Sequence, residues 1–372
     1  MTTLAASVAA HVPSIEQATQ APMRNRNVPR IEFLAAEHTA EWDEFVGRLA
    51  AGSCFHATAW TTAVRDAFGH QDLTLVARRG SEIVAGLPLM LVRSRLAGRM
   101  LVSVPYAVYG GAIGNDAEGL DALRREAIRL TAQCAARCLE LRSERAIWPD
   151  IAAVQRYVTF RKPLPVRADQ CLAALPRKAR AAARAARDRF GLAHVVGREH
   201  LPVAWRLYAG AMGRLGSIAY PYRFVAALVN GASDESFVSL VLCRGTPVAG
   251  LITWVHRGTA MPYFVGTSPG GAPLNAYNYV YLCAMERAVQ LGCHTFDFGR
   301  SRIDNHGAVA FKRHQGFEPT PLEYQVYVAP GCTPPDLSPS HRRFALARRV
   351  WPLLPSFVTI PLGAWLSKQI PG

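Results

Sequence analysis

LVLCRGTPVAGL, residues 240–251, has an earlier counterpart in LVARRGSEIVAGL, residues 75–87. Each is an apolar run broken by Arg-Gly and a polar turn, then resumed as Val-Ala-Gly-Leu. The pattern predicts a β-hairpin, and its recurrence marks an internal duplication. The copies differ by one residue, assigned to the turn, where an insertion costs least. The likeness extends outward. PLMLVRSRLAGRMLVSVPYAVYGG after the first hairpin and ITWVHRGTAMPYFVGTSPGG after the second both predict strands ending in glycines. Apolar residues at helical spacing follow in GLDALRREAIRLTAQCAARC and in NAYNYVYLCAMERAVQLGC. Each helix leads to a short strand, LELRS at 139–143 and FDFGRS at 296–301. Two helical segments precede each copy, and LPRKARAAARAARDRFGL between the copies is helical from its alanines.

Hairpin, strand, helix and strand, occurring twice, describe an α+β chain whose sheets are mixed, mainly antiparallel and flanked by helices. The expected organisation is a disordered leader at 1–29, a first domain at 30–165, a second at 166–330 and a Pro-rich basic and apolar tail at 331–372. A length of 372 residues suits about two domains. A formal net charge of +15 favours anionic partners: nucleic acid, phosphorylated substrates or an acidic membrane surface. The eight cysteines are scattered without a CxxC pair, so no metal site is expected and most are read as buried thiols of a reducing compartment. The N-terminus lacks the form of a signal peptide, and no window suits an uninterrupted transmembrane helix. The expected location is cytoplasmic, peripheral at the inner membrane if the tail binds lipid.

Chemistry concentrates in FDFGRSRIDNHGAVAFKRHQGF, residues 296–317. Asp297, Arg300 and Ser301 end a strand beside a helix, a common place for ligands. Asp297 can orient an attacking amine or accept its proton, and Arg300 can grip a phosphate or carboxylate. An Asp–Arg pair that fixes the turn is the alternative. Asn275, Tyr277 and Asn278 open the helix facing that strand. Asn275 can cap it, and the helix start suits an anion. Tyr109 stands by Gly110 and Gly111 in the first copy's loop. Arg177, Arg180, Arg184 and Arg187 recur on one helical face. That stripe suits RNA, nucleotide or lipid phosphates, or is a solvated face. No aromatic platform is interleaved with it, so sequence-specific RNA recognition is not expected. In the tail, arginines adjoin an apolar stretch broken by Pro352, Pro355 and Pro361. It reads as an interfacial anchor or as packing across the two domains.

LPRKARAAARAARDRFGL, VAGLITWVHRGTAMPYFVGTSPG, CHTFDFGRS and GAVAFKRHQGFEP together resemble the Fem-type aminoacyltransferases, over roughly residues 31–330. VPYAVYGG, LELRS and the Trp-Leu-Pro-rich ending are similar to the Fem-related proteins of exosortase/PEP-CTERM loci in exopolysaccharide-producing bacteria. The resemblance implies two tandem GNAT-like acyltransferase domains, with the acyl donor between splayed strands of the second. It implies acyl or aminoacyl transfer by direct attack, with no covalent enzyme intermediate. The acceptor would be an amine or hydroxyl on an envelope glycan or its lipid-linked precursor, a peptidoglycan precursor or an exopolysaccharide. The donor is a co-substrate, aminoacyl-tRNA, acyl-CoA or acyl carrier protein, with no tightly bound cofactor. Gly307, Phe311 and Lys312 match the family's Gly-x-x-x-Phe-Lys motif, which implies that Lys312 stabilises the oxyanion. Lys312 and Asp297 are thus the catalytic candidates. Arg300, Ser301, Asn275, Tyr277, Asn278, Phe311, Tyr109, Arg180 and Arg184 are the substrate-binding ones. The chain lacks the long helical hairpin that some members insert in the second domain, which weighs against tRNA. It also lacks a coenzyme A pyrophosphate loop, which weighs against ordinary CoA binding. A CoA-dependent or carrier-protein-dependent acyltransferase, or a non-catalytic scaffold binding glycan or membrane, are the alternatives.

Overall fold

The computed structural model describes residues 28–232, 236–333, 335 and 344–372. Almost all of the expected leader lies outside them. The two Val-Ala-Gly-Leu segments form hairpins, Leu75–Arg79 with Glu82–Leu87 and Phe237–Cys243 with Thr246–His256. Their registers correct one expectation. Ala77 pairs with Ala85 and Arg78 with Ile83, while Val241 pairs with Ala249 and Leu242 with Pro247. Val84 and Val248 are therefore the bulged residues of the two ladders, and both loops hold two residues. There is no insertion at the turn. The Arg-Gly dipeptide is displaced by one position, because the second turn takes two left-handed residues, Arg244 and Gly245, and the first only one, Gly80.

The glycine of each Val-Ala-Gly-Leu is held by close approach. A Cβ on Gly86 would meet the Trp42 ring at 2.1 Å, and one on Gly250 would meet Ala204 Cα at 2.7 Å. Trp42 and Ala204 lie on the helices Thr39–Arg48 and Leu201–Arg214, so a helix crosses the hairpin at the same place in each half.

The strands divide into two sheets. Leu75–Arg79 and Glu82–Leu87 join Arg30–Phe33 and Ile113–Gly114 in a four-stranded sheet. All the others form one twelve-stranded sheet through both halves. On the second-half side Leu192–Val196, Phe237–Cys243, Thr246–His256 and Thr259–Thr267 run antiparallel. Thr295–Asp297 then pairs parallel to Thr259–Thr267. The long strand Ala153–Pro163 lies between Thr295–Asp297 and Pro319–Val328. Pro319–Val328 in turn pairs with Cys138–Leu141 of the first half. Each half thus lends a strand to the other.

A core of Phe55, Trp60, Phe68, Tyr106 and Tyr109 from the first half and Tyr208, Phe224 and Phe264 from the second fills the junction. Separate apolar clusters lie under each half. Helix starts follow local chemistry. Asp116 accepts from Gly119 N at 2.7 Å ahead of Ala117–Gln133. Asn305 accepts from Ala308 N at 3.2 Å ahead of His306–His314. All eight cysteines are free; four are buried and four half-buried. Among the described residues, no helix is long and apolar enough to cross a membrane.

Candidate active site

The parallel strands Thr259–Thr267 and Thr295–Asp297 pair only at Thr259 with Thr295 and Ala260 with Phe296. Past these the strands part. The longer strand runs on and bulges at Tyr263, since Thr253 pairs with Pro262 and Ile252 with Phe264. The shorter one breaks into the turn Phe298-Gly299-Arg300. The helix Ala276–Gln290 packs against Thr259–Thr267.

The turn is held from two sides. Below it, Asp297 is 1% exposed. Its carboxylate accepts from Tyr109 Oη at 2.8 Å, from Arg161 Nε at 2.7 Å and from Gly299 N at 2.7 Å. Thr159 Oγ1 lies 2.5 Å from Tyr109 Oη, and Arg161 Nη1 donates to Glu144 at 2.6 Å. Tyr109 and Asp297, 188 residues apart, therefore meet in one network. Burial and the Asp297 carboxylate push the Tyr109 phenol well above its ordinary value. These three hydrogen bonds tie Asp297 to the first half's loop, to the long strand and to the turn.

From the other side comes Lys312, on the helix His306–His314. Its Nζ donates to Phe298 O at 2.9 Å, Gly299 O at 3.0 Å and Arg300 O at 3.2 Å, and it stands 4.9 Å over the Phe160 ring. An ammonium has three N–H donors, and all three are spent on this turn. Burial lowers its pKa to about 7, opposed by the Asp297 charge, and the three carbonyls favour the charged form. Phe311 packs on Tyr277, Tyr281 and Phe298.

Arg300 leaves the turn into a ring of tyrosines at the junction of the halves. Its guanidinium lies 4.4 Å from the Tyr157 ring centroid and 5.7 Å from that of Tyr324. Nη1 donates to Tyr324 Oη at 3.0 Å, which donates onward to Val108 O. Tyr263, on the bulge, donates to Tyr106 O. Arg300 has no ion pair among the described residues, and one of its N–H groups is engaged where a guanidinium has five. The sequence reading missed Tyr157, Tyr263, Tyr324, Thr159 and Arg161. They lie on strands whose pairing across the halves is not encoded locally.

The remaining candidates fall elsewhere. Ser301 is buried in a short strand pairing with Val158. Asn275 does not cap with its side chain. It sits at φ 57, a left-handed residue whose carbonyl accepts from Tyr279 N at 3.2 Å. Asn278 Oδ1 takes a hydrogen bond from the buried Gln315 at 2.6 Å. Arg180 donates to Ala173 O at 3.1 Å, Arg187 pairs with Asp188, and Arg184 is exposed. Among the described residues, no three His, Cys, Asp or Glu side chains gather as metal ligands do.

Residues 173–313, which include the splayed strands, Asp297 and Lys312, match the acetyltransferase (GNAT) domain family. The crystal structure of FemX superposes with a TM-score of 0.58 at 14% identity, over 81% of this chain and 97% of that one. A C-terminal domain (DUF2156) from Agrobacterium fabrum does so at 0.50 and 15% identity, over 78% and 92%. At such identities the likeness is one of fold. No curated protein sequence matches the chain. The match places an acetyltransferase (GNAT) domain in residues 173–313, and the likeness to FemX shows a shared fold.

Proposed function

We propose that the protein transfers an acyl or aminoacyl group to an amine or hydroxyl of a cell-envelope glycan or its lipid-linked precursor. The observation that carries this is the parting of Thr259–Thr267 from Thr295–Asp297 after two paired positions, followed by a turn bearing Arg300, which has no ion pair among the described residues. The donor's acyl arm lies between the parted strands, its carbonyl towards Arg300. The acceptor enters from the tyrosine-lined junction and attacks that carbonyl. The new C–N or C–O bond forms as the donor's C–S or C–O bond breaks, and the proton leaving the acceptor ends on the departing thiolate or alkoxide. Arg300, with donors to spare, stabilises the oxyanion. Lys312 and Asp297 act through the turn that presents it. The resemblance to Fem-related proteins of exosortase/PEP-CTERM loci supports an envelope acceptor.

A second reading, transfer from acyl-CoA, is favoured by the acetyltransferase domain match. Product formation from aminoacyl-tRNA, abolished by RNase, against formation from acyl-CoA separates the donors. Arg300→Lys is expected to lower kcat by roughly a hundredfold, as for loss of an oxyanion donor, with the fold unchanged by circular dichroism. Full activity in that variant removes Arg300 from the chemistry.

A further inference from the structure

The helix Ser356–Gln369 packs Ile360 on the junction core but turns other large apolar side chains outward. The side it buries carries Thr359, Gly363 and Ser367, spaced by four and so on one face. Gly363 lies against Ile218 and Ala219. The opposite face carries Phe357, Pro361 and Trp365, again spaced by four, with Leu362 on its flank. Phe357 is 77% exposed and Trp365 45%. The preceding turns also expose large apolar side chains, Leu346 at 73%, Val350 at 41% and Leu353 at 81%. Folding normally turns large apolar side chains inward, and a patch of this kind marks a surface meant for a partner.

Chemistry narrows the partner. Residues 344–372 contain Arg348, Arg349 and Lys368 and no Asp or Glu. All three cations are exposed, and none has an ion-pair partner among the described residues. An exposed apolar segment whose own charges are all cationic matches a bilayer interface with anionic headgroups. At 14 residues the helix is about 21 Å long, too short for a hydrocarbon core of about 30 Å. It lies on such a surface rather than through it. Nor can the helix roll its apolar face inward. Its end is tied to the first half by Tyr106 Oη to Ser367 O at 3.0 Å, Ser94 Oγ to Gln369 O at 2.7 Å and Arg95 N to Gln369 Oε1 at 2.6 Å.

We infer that residues 344–366 dock the protein onto an anionic lipid surface through the face that bears Leu346, Leu353, Phe357 and Trp365. Tyr106, whose hydroxyl holds this helix, also accepts at its carbonyl from Tyr263 on the strand Thr259–Thr267. The inference stands on this surface and does not depend on the reaction.

The test uses the full chain and vesicles of phosphatidylcholine, alone or mixed with phosphatidylglycerol. Wild-type protein is expected to sediment with the anionic vesicles, less so at high salt. Leu353→Glu combined with Phe357→Glu alters side chains already in solvent, so Tm should hold while vesicle binding falls by roughly tenfold or more. Arg348→Glu with Arg349→Glu should lower binding to anionic vesicles on the order of tenfold and leave the weak binding to neutral ones unchanged. Wild-type protein that ignores anionic vesicles, or a Leu353/Phe357 variant that binds as well as wild type, overturns the inference. So does a wild-type dimer, indifferent to vesicles, that the same variant converts to monomer; the face then belongs to a second copy of the chain.

Discussion

Lys312 illustrates how a charged side chain is defined by its acceptors. Three carbonyls of one turn take its three protons, while burial draws its pKa down to about 7. The ordinary lysine value is about 10.4. The depressed value means that the folded state binds fewer protons than the unfolded chain between about pH 7 and 10.4. The group's contribution to stability is therefore full above that window and is lost as pH falls through about 7. The turn's grip has the opposite dependence, since a neutral amine donates only two protons. Transfer activity is expected to fall as pH rises past about 7, and this limb should vanish in Lys312→Met. That variant leaves three carbonyls without a donor and should cost about 1–3 kcal/mol by denaturant titration. Asp297→Asn removes the charge that Arg161 faces at a site 1% exposed and should cost about 3 kcal/mol. A Tm equal to wild type would show that the network does not hold the turn.

The duplicated hairpin shows what one glycine can fix. Gly86 and Gly250 occupy equivalent places in the two registers, two residues beyond the bulge valines, and each lies under a crossing helix. Gly250→Ala must push the Leu201–Arg214 helix off the sheet, because its Cβ would stand 2.7 Å from Ala204 Cα. Overpacking of this kind costs about 1–3 kcal/mol, read as a lowered Tm. Gly80→Ala tests a different effect, strain at φ 64 with open space around it. An unchanged Tm for Gly250→Ala would mean that the helix has room to give.

The halves are not separable bodies. Thr295–Asp297 has Ala153–Pro163 along one side, and Cys138–Leu141 has Pro319–Val328 along its own. Residues 166–330 expressed alone would expose the edge of Thr295–Asp297 and half of the shared aromatic core, so the fragment is expected to be insoluble or unfolded. The full chain should unfold in one transition by calorimetry. Two separate transitions, or a folded fragment, would count against this coupling.

Periodicity, turn residues and capping side chains act within a few residues of themselves. The hairpins, the helices, among them the one that carries Lys312, and the strand-to-turn segment that carries Asp297 and Arg300 were legible in the sequence for that reason. The turn register was misread because Arg-Gly marks a turn without saying which of its residues goes left-handed. Asn275 was misread as a side-chain cap because Asn serves both as a cap and as a left-handed residue, and only the path of the chain from Ala272 selects one. Long-range pairing belongs to the tertiary structure. No local signal sets Tyr109 on Asp297, surrounds Arg300 with Tyr157 and Tyr324, or threads Ala153–Pro163 between strands of the other half. Those contacts depend on which sheet edges remain open once the local elements have formed, and that is settled by the burial of the whole aromatic junction at once.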